Sequence, residues 1–162
     1  MINVYITNLA KYNEGELVGQ WISLPLPLDE LEEIIDEILG DDEEYFISDY
    51  ECDFMTIDEY SDIYELNELA ERIDDLDEHD QKKVKAILEW GARKNVEEAI
   101  NDLDDFIFYE DITSEKELAE HFLDEMGFDL PQIIEVNINY EGLGRDLAIN
   151  GFFSSYGYIE EC

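Results

Sequence analysis

Apolar residues in the first third of the 162-residue chain alternate at strand spacing, recur at helical spacing, and then alternate again. The alternation over residues 2–9 and 17–24 predicts two strands, with a turn at residues 13–15 between them. Residues 28–39 place apolar side chains three and four positions apart, which is typical of an amphipathic helix. A run at residues 45–50 predicts a third strand and completes a β-β-α-β segment.

Helical spacing dominates the middle of the chain and gives way to mixed spacing after it. Residues 61–103 predict helices throughout. Residues 106–109 predict a strand, and Ser114-Glu115-Lys116-Glu117 has the form of a capping box that opens a helix. Residues 133–138 and 152–158 are two further strand candidates.

This order of elements predicts an α+β fold of three parts. A mixed N-terminal domain, residues 1–61, and a mixed C-terminal domain, residues 106–162, flank a helical middle, residues 62–105. Hydrophobic residues make up 45% of the chain and aromatic residues 12%. That is too much apolar material for an acidic disordered tail, so each part is expected to fold.

The sequence shows no feature of a membrane or secreted protein. No stretch reaches the roughly 18 uninterrupted apolar residues of a membrane span, and residues 1–6 lack the basic and apolar regions of a signal peptide. Cys52 and Cys162 are too few for a disulfide scaffold and lack nearby partners for a zinc site. We therefore expect a soluble cytoplasmic protein with free thiols.

The charge of the chain points to a more specific function. It contains 45 acidic and only 9 basic residues, which give a formal net charge of -36. The predicted helix 28–39 groups its apolar side chains within an arc of about 100° and places on the other side Asp29, Glu30, Glu33, Asp36 and Glu37. An ordinary solvated face would include Lys and Arg, and this one has none. Like charges four positions apart cost about 0.2–0.5 kcal/mol a pair. Because the helix keeps this repulsion and has no basic residue to offset it, we expect the charge to have a function.

Similar acidic clusters recur along the chain. Carboxylates three or four positions apart on a helix have Cβ atoms about 5–6 Å apart, a spacing that Lys and Arg side chains lining a channel can bind. We therefore predict a phosphate-mimicking surface that contains, besides the five acids of the helix, Asp41, Asp42, Glu43, Glu44, Asp58, Glu59, Asp62, Glu65, Glu68, Glu71, Asp74, Asp75, Asp77, Glu97, Glu98, Asp102, Asp104 and Asp105.

The quantity of charge matches a short piece of nucleic acid. Duplex DNA carries about one negative charge per 1.7 Å of axis, so a net charge of -36 equals that of about 18 base pairs. The expected partner is a basic protein that itself binds nucleic acid, while the chain does not bind nucleic acid.

Adaptation to high salt and calcium binding both account for the acidity less well. Halophilic proteins are acidic but reduce large hydrophobic residues, whereas this chain keeps ten Tyr and eight Phe. A calcium-binding loop starting at Asp75 would require Gly at position 80 and Glu at position 86. The sequence has Asp80 and Ala86 there, so no dedicated metal site is expected.

Catalytic motifs are not found. His79 and His121 are the only histidines, and neither belongs to a nucleophile–base motif. Glu141-Gly142-Leu143-Gly144 does not match a phosphate-binding loop. We expect neither enzymatic activity nor a cofactor. The alternative to mimicry is an acidic adaptor that binds a basic partner outside its DNA channel.

Two local clusters suggest contacts within or between subunits. Five of the nine basic residues lie close together: Lys82, Lys83, Lys85, Arg93 and Lys94. They either form ion pairs with nearby acids such as Glu89, Glu97 and Glu98, or bind an acidic element of the same or another subunit. Near the chain end, Phe152, Phe153, Tyr156 and Tyr158 predict the interface of a homodimer. Completion of the C-terminal core is the alternative role of these aromatics.

Several segments are similar to one known family, the ArdA antirestriction proteins. The resemblance runs from end to end and rests on Val4-Tyr5-Ile6-Thr7-Asn8-Leu9, Lys11-Tyr12-Asn13-Glu14-Gly15, Gly19-Gln20-Trp21-Ile22, Glu44-Tyr45-Phe46-Ile47-Ser48-Asp49-Tyr50-Glu51, Leu118-Ala119-Glu120 and Ile138-Asn139-Tyr140-Glu141-Gly142-Leu143-Gly144-Arg145-Asp146-Leu147. In the last of these, Gly142 and Gly144 make residues 140–147 more flexible than a typical helix.

The resemblance implies an elongated, curved, three-domain protein that pairs through its C-terminal part into a homodimer shaped like bent duplex DNA. Members of the family are encoded on mobile genetic elements and phages. They block Type I restriction–modification enzymes by occupying the DNA channel of the methyltransferase core. The resemblance and the charge pattern therefore lead to the same expectation, a DNA-mimic inhibitor.

Overall fold

Two small antiparallel sheets, one in each half of the chain, organise the fold. The computed structural model describes residues 1–127 and 129–162. It divides into an N-terminal unit, Met1–Asp77, and a C-terminal unit, Glu78–Cys162. The mixture of helices and strands confirms the predicted α+β class. The predicted division into three domains stays a prediction.

The N-terminal sheet has its first strand in the centre. Strand β1 (Ile2–Asn8) pairs antiparallel with β2 (Gly19–Leu24) on one side and with β3 (Tyr45–Cys52) on the other. The three predicted strands are confirmed. Ile2, Val4 and Ile6 of β1 are completely buried, because they point from one face of the sheet into the core.

Helices cover the buried face of this unit. Helix α1 (Leu9–Asn13) directly follows β1, while α2 (Leu28–Leu39) lies between β2 and β3 and α3 (Ile63–Asp74) follows β3. Helix α2 has the predicted bounds and buries Leu31, Ile35 and Ile38, whereas Leu28 remains 57% exposed. The structure thus confirms the amphipathic helix, but the buried stripe does not include Leu28.

The C-terminal unit has a second sheet, with strand order β4-β6-β5, surrounded by short helices. Its elements are α4 (Glu78–Trp90), α5 (Val96–Asn101), β4 (Phe106–Tyr109), α6 (Glu115–Glu125), α7 (Gln132–Glu135), α8 (Tyr140–Leu147), β5 (Gly151–Ser154) and β6 (Gly157–Glu161). Single 3-10 turns at Leu103–Asp105 and Ala148–Asn150 precede β4 and β5. The helical middle, the strand β4 and the capped helix α6 are confirmed.

Two strand predictions are corrected. Residues 133–138 form no strand: the segment contains most of the four-residue helix α7, which Pro131 precedes as N-cap. Proline is compatible with the start of a helix, because the N–H that it lacks would have no partner within the helix there. Residues 152–158 are not one strand but most of the hairpin β5–β6, which reverses before Gly157 at a φ of 143°.

Helix α8 forms in spite of its glycines, and one of them is required by its packing. A Cβ atom on Gly144 would lie 1.7 Å from the carbonyl oxygen of Glu115, at the start of α6. Only a residue without a side chain allows α8 to approach α6 this closely. The glycine that suggested flexibility in the sequence is therefore part of a tight helix–helix contact.

No helix in the described part of the chain is long and apolar enough to cross a membrane.

Candidate partner-binding surface

The outer face of α2 presents a row of carboxylates with no basic neighbour. Asp29, Glu30, Glu33, Asp36 and Glu37 are all exposed. Among the described residues, none of the five accepts a hydrogen bond from another side chain or pairs with a basic one. The helix is held by its buried face, so the charges remain available to a partner.

The C-terminal end of α2, where acids oppose the helix dipole, is stabilised from β1. Asn8 is almost completely buried, and its Nδ2 donates to the carbonyl oxygens of Ile38 at 3.1 Å and Leu39 at 3.2 Å. The same Nδ2 donates to Oδ2 of Asp42 at 3.0 Å. One buried amide thus caps the helix and holds the first turn of the acidic loop that follows.

Helix α3 extends the acidic surface next to α2. Burial raises the pKa of Tyr64, and the nearby carboxylates of Glu32, Asp36 and Asp62 raise it further. Two of these carboxylates belong to α2, and Asp62 is the N-cap of α3, where its side chain accepts from two backbone N–H groups. Acids of both helices therefore meet around this one phenol.

The structure divides the predicted surface into exposed and half-buried carboxylates. Of the 23 acids predicted, 20 are exposed. The other three are half-buried and each has a partner: Asp42 accepts from Asn8, Glu98 from the backbone N–H of Lys94, and Asp102 from Arg93. Eighteen of the 23 belong to the N-terminal unit and five to the C-terminal unit.

One carboxylate of α2 was missing from the prediction. Glu32 is exposed and lies close enough to Tyr64 to raise the pKa of its phenol. On a helical wheel it falls beside the apolar stripe, about 40° from Leu28. Its proximity to Tyr64 of α3 makes it part of the acidic surface.

Two residues of the basic cluster, Lys82 and Arg93, form ion pairs inside the C-terminal unit. Lys82 pairs with Glu110 and, at 2.8 Å, with Glu78 on its own helix. These carboxylates raise the pKa of Lys82, while Lys82 lowers the pKa of Glu110. Lys85 lies over the ring of Tyr156 at 5.8 Å.

Arg93 makes the most extensive of these contacts. Its Nε donates to Asp102 at 2.5 Å and its Nη2 to Glu161 at 3.1 Å, while Asp105 lies 3.7 Å away. The guanidinium also lies over the ring of Phe106, 4.8 Å from its centroid. The side chain is only 18% exposed. The arginine therefore ties the last strand of the sheet to the segment between α5 and β4.

The four aromatics predicted to form a dimer interface pack largely within the chain. Tyr158 is 1% exposed, and Phe153 lies against it with ring centroids 5.0 Å apart. Phe152 stacks on Trp90 at 6.4 Å, and Tyr156 is half-buried beneath Lys85. The large apolar side chains that are most exposed in this unit lie elsewhere, at Ile133, Val136 and Ile149.

Among residues 1–127 and 129–162, no three His, Cys, Asp or Glu side chains are grouped so that they could hold a metal ion. The acids of α2 and α3 form open rows and do not converge on one point, so they match an extended cationic surface better than a single ion.

A family model for the antirestriction protein ArdA matches residues 4–160, nearly the whole chain. The chain belongs to the ArdA family. Membership of this family of inhibitors implies antirestriction activity against restriction–modification systems. No curated protein matches the sequence.

Proposed function

We propose that this ArdA protein is a DNA mimic that occupies the DNA-binding channel of Type I restriction–modification enzymes. The observation that carries the proposal is the exposed carboxylate surface of α2, the 41–44 loop and α3. It has no basic side chain on α2 or in the loop, and the exposed acids are supported from below by an apolar core.

The geometry of this surface suits a channel built for phosphates. Neighbouring acids on one helix face have Cβ atoms about 5–6 Å apart, and their side chains can adjust to Lys and Arg groups. The surface offers no array of base edges, so binding would not depend on a recognition sequence. An inhibitor of this kind acts on enzymes that read different DNA sites.

The charge also favours rapid capture. A net charge of -36 produces a long-range field that steers the protein toward a basic channel and weakens as salt screens it. Association with the methyltransferase core in the cytoplasm should therefore be fast and should depend steeply on salt.

Assembly into a homodimer through the C-terminal unit is part of the proposal. A dimer would carry a charge of -72, twice that of the chain, which equals about 36 base pairs of duplex. Since Tyr158 lies in its own core, the exposed side chains of Ile133, Val136 and Ile149 are better placed for such a contact. Light scattering at micromolar concentration tests this, and a monomeric mass would contradict it.

A competition titration tests the mimicry. Labelled target DNA is bound to a purified Type I methyltransferase, and the acidic protein is added at several salt concentrations. Displacement of DNA, with an inhibitor affinity that falls as salt rises, is the expected result. A ternary complex in which DNA stays bound at saturating inhibitor would contradict mimicry and favour the acidic adaptor.

A further inference from the structure

A cavity of about 300 Å³ in the C-terminal unit is separate from the acidic rows described above. It lies between helices α6 and α8 and strands β4 and β6. Its apolar wall consists of Leu118, Phe122 and Leu147, of which Leu118 is 6% exposed. A cavity of this size and composition can enclose a short hydrocarbon chain.

The opposite wall is polar and negatively charged. It contains the phenols of Tyr109 and Tyr158 and the carboxylates of Glu125 and Glu160. Burial raises the pKa of both phenols, and Glu160 raises it further in both cases. The phenols therefore stay uncharged at neutral pH, and no Lys or Arg is among the lining residues. The two carboxylates give the cavity its charge.

The carboxylates are only partly engaged by the protein. Glu160 accepts one hydrogen bond, from the hydroxyl of Tyr158 at 3.1 Å. Oε1 of Glu125 lies 3.4 Å from Nε2 of His121, but this nitrogen is buried and has no aligned hydrogen-bond partner. Because the Glu125 side chain is 62% exposed, it can turn from the imidazole toward the cavity.

These features together select the chemistry of a ligand. An anion would be repelled, and a neutral apolar molecule would bury carboxylates without donating to them. A metal ion would need a denser set of ligands than any group found among the described residues. A cation with N–H donors and an apolar stem satisfies the carboxylates, the aromatic rings and the hydrocarbon wall at once.

We propose that this cavity binds an alkylammonium or alkylguanidinium group, with the charged head between Glu125 and Glu160 and the stem against Leu118 and Phe122. Two sources share this chemistry. One is a Lys or Arg side chain of the proteins that the acidic surface attracts, and the other is a free polyamine. The site goes beyond the proposed function, because rows of exposed acids bind a basic surface without any enclosed receptor.

The direct test is an NMR titration of the full chain with n-butylammonium at pH 8. Ionic strength is held constant, since any polyanion attracts cations. n-Butanol, which has the same stem without charge, serves as the ligand control. Saturable shifts confined to α6, α8 and β6 are expected with n-butylammonium, and not with n-butanol.

Matched variants test whether the carboxylates of Glu125 and Glu160 bind the cation. The pair Glu125→Gln and Glu160→Gln should weaken n-butylammonium binding by about five- to tenfold. The pair Glu97→Gln and Asp104→Asn removes the same charge from exposed positions outside the cavity and should leave binding unchanged. If the first pair fails to fold, Glu125→Gln alone decides, because this side chain is largely exposed. Equal affinities in the two pairs, or shifts spread over the acidic surface, would overturn the proposal.

The source of the cation is found with two further measurements. If a partner side chain fills the cavity, the Glu125 and Glu160 variant should also bind the methyltransferase more weakly, and n-butylammonium should compete. If a polyamine fills it, spermidine should bind more tightly than n-butylammonium and the enzyme affinity should not change. The titration contains no enzyme, so its failure would leave the proposed function untouched, and failure of enzyme binding would leave the cavity untouched.

Discussion

The two units of the molecule differ in whether their acidic side chains have basic partners. The N-terminal unit has 24 acidic and 2 basic residues, and the C-terminal unit has 21 acidic and 7 basic residues. On α2 the acids have no basic partner, whereas around Arg93 and Lys82 they are bound by cations of the same unit. Similar numbers of carboxylates thus produce an open surface in one unit and an internal ion-pair network in the other.

The difference shows that acidity alone does not define a binding surface. A carboxylate held by Arg93 has its charge offset and its geometry fixed, so it contributes little to a partner. A carboxylate on α2 keeps its charge and repels its neighbours, and a cationic channel would relieve that repulsion. We therefore propose that inhibition depends mainly on the N-terminal unit, and that the basic residues of the C-terminal unit stabilise its fold.

The largest expected effect comes from removing the open charges together. Six exposed acids of the N-terminal unit are changed to their amides: Glu30, Glu33, Asp36, Glu37, Asp41 and Glu43. Asp42 is retained because it bonds to Asn8. At about 0.5 kcal/mol for each exposed contact, affinity for a Type I methyltransferase should fall by about 3 kcal/mol, or roughly a hundredfold. The slope of log affinity against log salt should also flatten.

A charge-matched variant makes this a comparison of the two units. It neutralises six exposed acids of the C-terminal unit: Asp111, Asp124, Asp129, Glu135, Glu141 and Asp146. Its loss of affinity should be several times smaller on a logarithmic scale. Equal losses in the two variants would show that only the total charge matters, and the contrast between units would then have no functional meaning.

The sequence predicted the elements better than their contacts. Periodicity located β1, α2 and α6 because each pattern is local and lies above a buried face. It was wrong at residues 133–138, where the apolar run follows Pro131 into a short exposed helix. A run of branched apolar residues has no strand partner encoded within it, so the pattern alone could not exclude the helix.

The acidic surface was predictable in composition but not in detail. Exposure of α2 acids follows from the helical wheel, because the apolar stripe determines the opposite face. The engagement of Asp102 by Arg93 and the position of Glu32 near Tyr64 depend on tertiary contacts. Such contacts join separate elements, and no spacing rule along the chain encodes them.

The next largest effect is on the stability of the C-terminal unit. Gly144→Ala places a Cβ atom 1.7 Å from the carbonyl oxygen of Glu115, a backbone atom that cannot move alone. We expect a loss of about 2–3 kcal/mol in the free energy of unfolding, measured with urea. In Gly142→Ala the new atom meets only the Asn139 side chain, at 2.6 Å, so the loss should be smaller. A neutral Gly144→Ala would contradict the close helix packing.

Arg93→Gln tests whether the internal ion-pair network is structural. The change leaves Asp102 and Glu161 without their cation and removes the contact with Phe106. The melting temperature should fall by about 4 °C. The decrease should be smaller for Arg93→Lys, because lysine keeps the positive charge. Arg145→Gln is the control, because that side chain is 69% exposed and its ion pair among the described residues is with Glu115. Equal effects at the two arginines would remove the distinction between them.

The smallest expected effect concerns pH and the paired lysine of α4. Lys82 lowers the pKa of Glu110, so this pair stabilises the fold fully above the ordinary carboxylate range, and the stabilisation is lost as pH falls through the lowered pKa of Glu110. The pKa of Lys82 is itself raised, so the stabilisation is also lost as pH rises above the ordinary lysine range. Lys82→Met should therefore lower the urea midpoint slightly at pH 7, and this effect should shrink as pH falls below the ordinary carboxylate range.

The neighbouring Lys83→Met is the matched control on the same helix. Among the described residues, the Lys83 side chain has no hydrogen bond or ion pair, which distinguishes it from Lys82. Because it reduces the net positive charge equally, any effect of overall charge appears in both variants and cancels in their difference. That difference should be present at pH 7 and should shrink as pH falls below the ordinary carboxylate range. A difference that does not change as pH falls would assign the role of Lys82 to packing of its hydrocarbon stem. The electrostatic contrast between the two units would then lose this support.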